Sequence, residues 1–459
     1  MLDAQETIDI APSVPRMYKY LVAVLALSAL VLVVHTATNT YFGAPESNFP
    51  YLTAEGSSGP NDIGPLNCKD QIWGGHYFGD FQSEYCRMRQ TTPYPVDRPS
   101  SYLPGFYVVS GFIGLMPSSN TAFMATALLA LAFGFYAIKS LFVHKEQVRL
   151  SPLLLLTFYP FWFAIDRGNY GWIFGPLLVL LSTSRTARSE RYWILAVAIS
   201  LKFPLAVFGL LIFADGSWKS KSKELMKFSG VFVFLNFLFP LLQWPGAQKW
   251  PRLVLRVQGL MPGDSSIGVK SFDFNLRGRS DMYTFLTSFQ RFSFLSESKL
   301  IAFEGILIGV IVLVIFISIR KLSEYENKNW GLVELSIVSG CLSVLLSPFS
   351  FPYGLMALLV PIVLLLSPQG DAVRFRNTYL MLLAASSVPN AIPLRAMCEL
   401  LFHPIEGSLN ADFPDLGNFL IPISLIIMLL LVAYSAVLSY LSTRATQHNP
   451  VEVSVDLPQ

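Results

Sequence analysis

The chain has 459 residues, 53% of them apolar and only 14% charged, with a mean hydropathy of +0.49; soluble domains carry about 25% charged residues. That balance excludes a disordered chain, a coiled coil and an ordinary water-soluble enzyme. A formal net charge of +3 excludes nucleic-acid binding driven by bulk charge, so no nucleic-acid partner is expected.

The length suffices for roughly a dozen crossings of about 20 residues each, so the expected fold is an all-α polytopic membrane protein. Arg16 and Lys19 flank the first apolar run, 18–36. They place residues 1–17 in the cytoplasm as an N-terminal tail and make the run a retained anchor. Further apolar stretches cover 121–143, 192–213, 226–244, 299–319, 331–348, 351–367, 377–393 and 416–441. Three others, 103–117, 151–165 and 170–184, have about 15 residues and reach only about 22 Å, short of a ~30 Å hydrocarbon core. Helices that short survive where protein shields their ends or where they line a wet cavity, as at many membrane binding sites. The body 18–441 reads as one transmembrane domain, and the polar stretch 442–459 reads as a disordered tail.

Two polar loops interrupt this pattern. Residues 37–102 carry Asp62, Asp70, Asp80, Glu84 and Asp97, and residues 245–298 carry seven basic side chains, Arg252 and Arg256 among them, against four acids. Cys68 and Cys86 share the first loop; they form a disulfide if it faces an oxidising compartment, and two free thiols are the other reading. The short basic loops 144–149, 185–191, 219–227, 320–328 and 374–376 all belong in the cytoplasm by the positive-inside rule. Keeping them there requires that 103–117 be re-entrant and that 192–213 fold back on itself near Lys202-Phe203-Pro204, where the proline breaks the helical ladder. A second parity, with 103–117 spanning, puts the first two basic loops outside. In the first parity the two large loops are outer loops, and the turn 166–169 and the break at Lys202 meet them on the outer side.

Candidate chemistry sits at these places. Asp166, Arg167 and Asn169 join two short apolar helices; charges at such depth are costly and are paired or functional. Arg167 offers a planar fork suited to phosphate, and an Asp166–Arg167 structural pair is the plainer reading. Lys202 lies mid-run, too central to reach either face easily, and needs a carboxylate, a helix end or an anionic ligand. A loop carboxylate above a membrane cavity is a candidate general base for a hydroxyl nucleophile, but chemistry alone does not choose among the acids of that loop, which also include Glu46 and Glu55.

The order of short motifs narrows this. Asp80-Phe81 is followed by Pro93-Tyr94 and Tyr102-Leu103-Pro104, then by Arg167-Gly168-Asn169, Lys202-Phe203-Pro204 and Ser347-Pro348-Phe349-Ser350-Phe351. Across roughly residues 75–365 this series resembles glycosyltransferase family 87, which includes polyprenol-phosphate-mannose-dependent mannosyltransferases. The lysine motif is one residue shorter than a common family form. Phe351 replaces a usual Trp, and Pro352-Tyr353 stands where His is common, which leaves no counterpart for a role of that His.

The resemblance implies a GT-C-like bundle of roughly 11–13 transmembrane helices, a polyprenyl-phosphate sugar donor and chemistry on the non-cytoplasmic face, with Asp80 as the catalytic aspartate of the first outer loop. Its further implications are a multi-pass protein of the cell membrane, with a bacterial plasma membrane expected, and mannose as the default sugar. The acceptor hydroxyl belongs to a glycolipid or an envelope glycan, and the donor carbon inverts. Arg167, Lys202, Arg252 and Arg256 are then candidates for the donor phosphate, with Asp166, Asn169, Tyr94 and Tyr353 as substrate contacts. Membrane lipids are the expected surroundings. The chain has no Asp-x-Asp of the kind that suits a metal-dependent nucleotide-sugar enzyme, so metal-independent chemistry without a cofactor is expected. Broken helices and a buried lysine fit a lipid or sugar transporter or flippase as the competing class.

Overall fold

The computed structural model describes residues 13–42, 79–89, 102–184, 187–214, 218–244, parts of 306–317, 331–346, 352–388 and 417–448; at some positions, including Asp80, Asp166 and Arg167, only the backbone is described. Among the described residues the protein is helical and has no strand. Among the described residues, four helices are long and apolar enough to cross a membrane, or five if one bent pair counts as a span. Six shorter apolar helices accompany them.

The first long helix, α1 (Ser13–Phe42), is followed by α2 (Gly79–Met88) and α3 (Pro104–Ser110), which tightens into a 3₁₀ turn over Gly111–Leu115. Helix α4 (Ser119–Lys139) opens on Ser118, whose hydroxyl accepts the Thr121 amide proton. Its first turns touch Phe81 of α2 through Phe123, with ring centroids 5.5 Å apart. At the other end of residues 103–117, Tyr102 also lies near α2's neighbours, and Tyr85 Oη donates to the Met116 carbonyl. Residues 103–117 thus fold as a short helix and a 3₁₀ turn whose end packs on α2.

Helices α5 (Lys145–Leu156) and α6 (Tyr159–Arg167) form the bent pair, kinked by 54°. Pro160 in the first turn of α6 cannot extend the ladder of α5, and Trp162 Nε1 donates to the freed Leu156 carbonyl at 2.8 Å. Next come α7 (Tyr170–Ser182) and α8 (Arg191–Leu201), followed by a 3₁₀ helix over Phe203–Phe213. Arg191 aligns these three: Nε donates to the Ser182 carbonyl (3.1 Å) and Nη1 to the Leu211 carbonyl (3.4 Å). The start of α7 lies against the Leu201 carbonyl at Gly171. Residues 192–213 thus run out and back, with the reversal at Lys202, whose extended backbone (φ −151°, ψ 109°) ends α8. At about 1.5 Å per residue neither α7 nor α8 reaches across a bilayer, and both are walled by other helices, with most of their side chains buried.

Helix α9 (Trp218–Val233) passes through a π turn at Phe234–Leu238 into α10 (Phe239–Gln243). Helix α11 (Gly331–Leu345) is buried along its length and packs on the Phe203–Phe213 helix. After a 3₁₀ turn over Pro352–Leu358, α12 (Leu359–Leu366) ends beside α5, where Gln147 Nε2 donates to the Leu366 carbonyl at 3.3 Å. Helix α13 (Arg376–Ser386) precedes α14 (Gly417–His448), which continues past the 441 boundary expected from composition; Arg444, Ala445 and Gln447 are good helix formers and prolong it.

The bundle has two unlike ends. One carries Arg16, Lys139, Lys145, Arg149, Arg191, Lys221, Lys223, Arg374 and Arg376, at the loops and helix starts described above. Asp371 pins Arg16 (2.6 Å) and Arg376 (2.5 Å) there. The other end holds α2, α3 and the reversal at Lys202.

Candidate functional site

The site end is built around a helix stop. Gly168 closes α6 in the left-handed conformation (φ 66°, ψ 24°). Its amide donates to the Ile165 carbonyl and that of Asn169 to the Ala164 carbonyl, both at 2.9 Å, which satisfies carbonyls that a helix end leaves open. A side-chain carbon at Gly168 would collide with Cβ of Phe81 and lie 3.1 Å from the Phe81 nitrogen. The position therefore demands glycine twice, for its backbone angle and for contact with the peptide that joins Asp80 to Phe81.

Asn169 caps α7 from a buried position, 3% exposed. Its Oδ1 accepts the Tyr102 hydroxyl proton at 3.0 Å. Tyr102 in turn presents its ring to Lys202, whose Nζ lies 4.2 Å from the ring centroid and 5.8 Å from that of Trp172. Such cation–π contacts contribute about 0.5–2 kcal/mol, more where water is excluded. Lys202 is half-buried, so its ammonium combines aromatic walls with access from outside.

Aromatic rings connect these points without a gap. Phe81 meets Tyr170 at 5.5 Å, Tyr170 stacks on Phe106 at 5.1 Å, and Phe106 stacks on Tyr102 at 4.1 Å. Rings in offset or edge contact hold their mutual geometry with little side-chain freedom. An apolar crevice lined by Phe81, Phe123, Thr126, Ile165, Gly168 and Tyr170 lies beside the glycine.

The structure brings together the backbone of Asp80-Phe81 in the first turn of α2, the Arg167-Gly168-Asn169 helix stop, Tyr102 and Lys202. The side chains of Asp80, Asp166 and Arg167 lie outside the described residues, as do Tyr94, Arg252 and Arg256 altogether. Tyr353 belongs to the 3₁₀ turn Pro352–Leu358, which packs on α6, but its side chain is likewise outside the description. Glu84, one turn along α2 from Asp80, is buried; it accepts the Tyr107 hydroxyl proton and lies 3.7 Å from Arg87 Nε. That carboxylate is occupied by structural partners. Cys86 in the same helix is disulfide-bonded, and its partner lies outside the described residues.

Three participants were not among the sequence candidates. Tyr102 appeared only as part of a motif, Trp172 follows Asn169 by three residues and so shares its helix face, and Asn236 is an amide in the middle of the apolar run 226–244. A polar side chain isolated in such a run is the signal that finds the last of these. Among the described residues no group of three or more His, Cys, Asp or Glu side chains gathers at any point. No protein-family model, curated protein or solved structure matches this chain.

Proposed function

We propose that this chain is a membrane glycosyltransferase that moves a sugar, mannose by resemblance, from a polyprenyl phosphate to an acceptor hydroxyl on a glycolipid or envelope glycan. Asp80 takes the proton as the acceptor oxygen attacks the anomeric carbon. The bond to the phosphate oxygen breaks, and the polyprenyl phosphate leaves with the electron pair. Preplaced cations act most strongly where that charge develops. Lys202, held against Tyr102 and Trp172, is the described candidate, with Arg167 at the α6 helix stop and Arg252 and Arg256 from the second loop as the others. Attack opposite the leaving phosphate inverts the donor carbon. No step calls on a metal or cofactor.

The observation that carries this reading is the meeting of the Asp80-Phe81 peptide with the Gly168-Asn169 stop, and of that stop with Tyr102 and Lys202. Motifs separated by more than a hundred residues converge on one end of the bundle, as a shared active site requires. Two features support a non-cytoplasmic face for that end. Most of the described basic side chains lie at the opposite end, which the positive-inside rule assigns to the cytoplasm; Arg87 and Arg89 are the exceptions at the α2 end. The disulfide at Cys86 suits an oxidising compartment.

The test is transfer of label from a radiolabelled polyprenyl-phosphate mannose to lipid or glycan acceptors by the purified protein in lipid nanodiscs. Asp80→Asn should lower the rate by about 10²–10⁴-fold, the range of general-base assistance, with unchanged folding. Wild-type turnover by that variant removes Asp80 from the mechanism. Label accumulating inside vesicles without transfer to a new molecule identifies a transporter instead.

A further inference from the structure

We propose that Asn236 is a positioning residue that sets the spacing between the segment bearing Tyr102 and the helix end bearing Lys202. The proposal rests on the transferase reading for its kinetic consequence, but not for its geometry.

Asn236 is fully buried in the π turn Phe234–Leu238. Its Oδ1 accepts the Gly105 amide proton at 2.9 Å. Its Nδ2 donates to Ser200 Oγ at 2.8 Å and to the Phe232 carbonyl at 2.9 Å. Gly105 lies three residues after Tyr102, and Ser200 lies two before Lys202. One carboxamide thereby ties together the two backbones whose side chains make the cation–π contact. The approach is close: a side-chain carbon at Gly105 would stand 2.6 Å from Ser200 Cβ and 2.7 Å from Asn236 Oδ1. Ser200 Oγ is itself fixed by donation to the Ala196 carbonyl at 2.8 Å, so the amide bonds to a hydroxyl that is already oriented.

An amide is the group this place requires. It supplies one acceptor and two donors in one plane, and both donors and the acceptor are used. Aspartate keeps the acceptor and loses both donors, and leucine keeps only the volume. The π turn belongs to the same device, because the extra residue in the turn interrupts the regular α ladder; such bulges recur at functional sites. Ordinary interhelical glue needs one bond between two helices. Here one side chain joins α9 to α3 and α8, at the two points next to Tyr102 and Lys202.

The experiment compares wild type, Asn236→Leu, Asn236→Asp and Asn236→Gln in full-length protein in nanodiscs. The readouts are kcat and KM with radiolabelled polyprenyl-phosphate mannose and the acylation rate of Lys202 Nζ by an amine-reactive reagent, followed by mass spectrometry. Asn236→Leu should lower kcat by about 10²-fold, as expected for a displacement near 1 Å, leave the acceptor KM unchanged and label Lys202 several times faster. Asn236→Asp should fall between. If Asn236→Leu does not fold, Asn236→Gln decides, since it keeps every donor and acceptor but lengthens the arm; lower kcat with faster Lys202 labelling supports the proposal. Wild-type kcat and labelling in a folded variant overturn it. Should wild type transfer no sugar at all, the transferase reading fails while the labelling comparison still judges Asn236.

Discussion

At the basic end, Asp371 draws together Arg16 of α1 and Arg376 of α13, and Arg191 caps two helix ends with its guanidinium. At the opposite end, a left-handed glycine, an asparagine cap, a buried carboxamide and a run of stacked rings hold the elements in place. Exposed ion pairs hold one end, whereas shape, buried hydrogen bonds and the Glu84–Arg87 pair hold the other. Formal charge orients a chain in a membrane but is screened by salt where it is exposed. Hydrogen bonds inside a packed aromatic cluster are shielded from salt, and Lys202 adds a cation to the site end. The contrast implies that disturbing the site end costs fit, whereas disturbing the basic end costs helix capping or, at its surface, very little.

The sharpest test of fit is Gly168→Ala. The left-handed backbone costs an L-residue about 1–2 kcal/mol, and the displaced Phe81 adds about 1–3 kcal/mol of overpacking. We expect the thermal midpoint in detergent to fall markedly and sugar transfer to fall with it. A variant with wild-type midpoint would mean that α2 does not rest on this glycine. Arg191→Met probes the other end. It leaves the Ser182 and Leu211 carbonyls without their charged donor, and hydrogen bonds to charged groups contribute about 1.5–3 kcal/mol. Stability should drop by about that amount, while any surviving folded protein keeps its kcat because Lys202 stands at the far end of α8. Loss of kcat at full stability would break the division between the ends.

Much of this arrangement was legible in the sequence. Pro204 marks the break at Lys202, where the chain reverses. The kink between α5 and α6 was less visible, because Pro160 marks a break but its angle depends on Trp162 reaching the Leu156 carbonyl. The site shows the same division. Asp80, Arg167, Asn169 and Lys202 stand out through their chemistry and motif order, yet nothing in residue type says that Lys202 will rest on the ring of Tyr102. That contact joins residues a hundred positions apart and depends on Asn236, whose π turn has no local propensity signature. Several apolar stretches, 170–184 and 192–213 among them, fold as short helices sheltered by neighbours, which hydropathy does not distinguish from full crossings.

The smallest expected effect belongs to Asp371→Asn. Burial alone would raise this carboxyl, but the hydrogen bonds from Arg16 and Arg376 outweigh it and hold its pKa below the ordinary value. A carboxylate with a depressed folded pKa contributes stability that is fully present above its unfolded value, about 3.9. The contribution is lost as pH falls through the lower folded value, so the pH dependence from this group is confined to below about pH 4. The side chain is 42% exposed, and exposed ion pairs contribute about 0.2–1 kcal/mol. At pH 7 and low salt the substitution should lower the thermal midpoint by no more than a few degrees. At 1 M salt, where the screening length is about 3 Å, the difference should shrink further. A large, salt-independent loss would show that this cluster anchors α1 by packing, and that the basic end is held by shape as much as its counterpart.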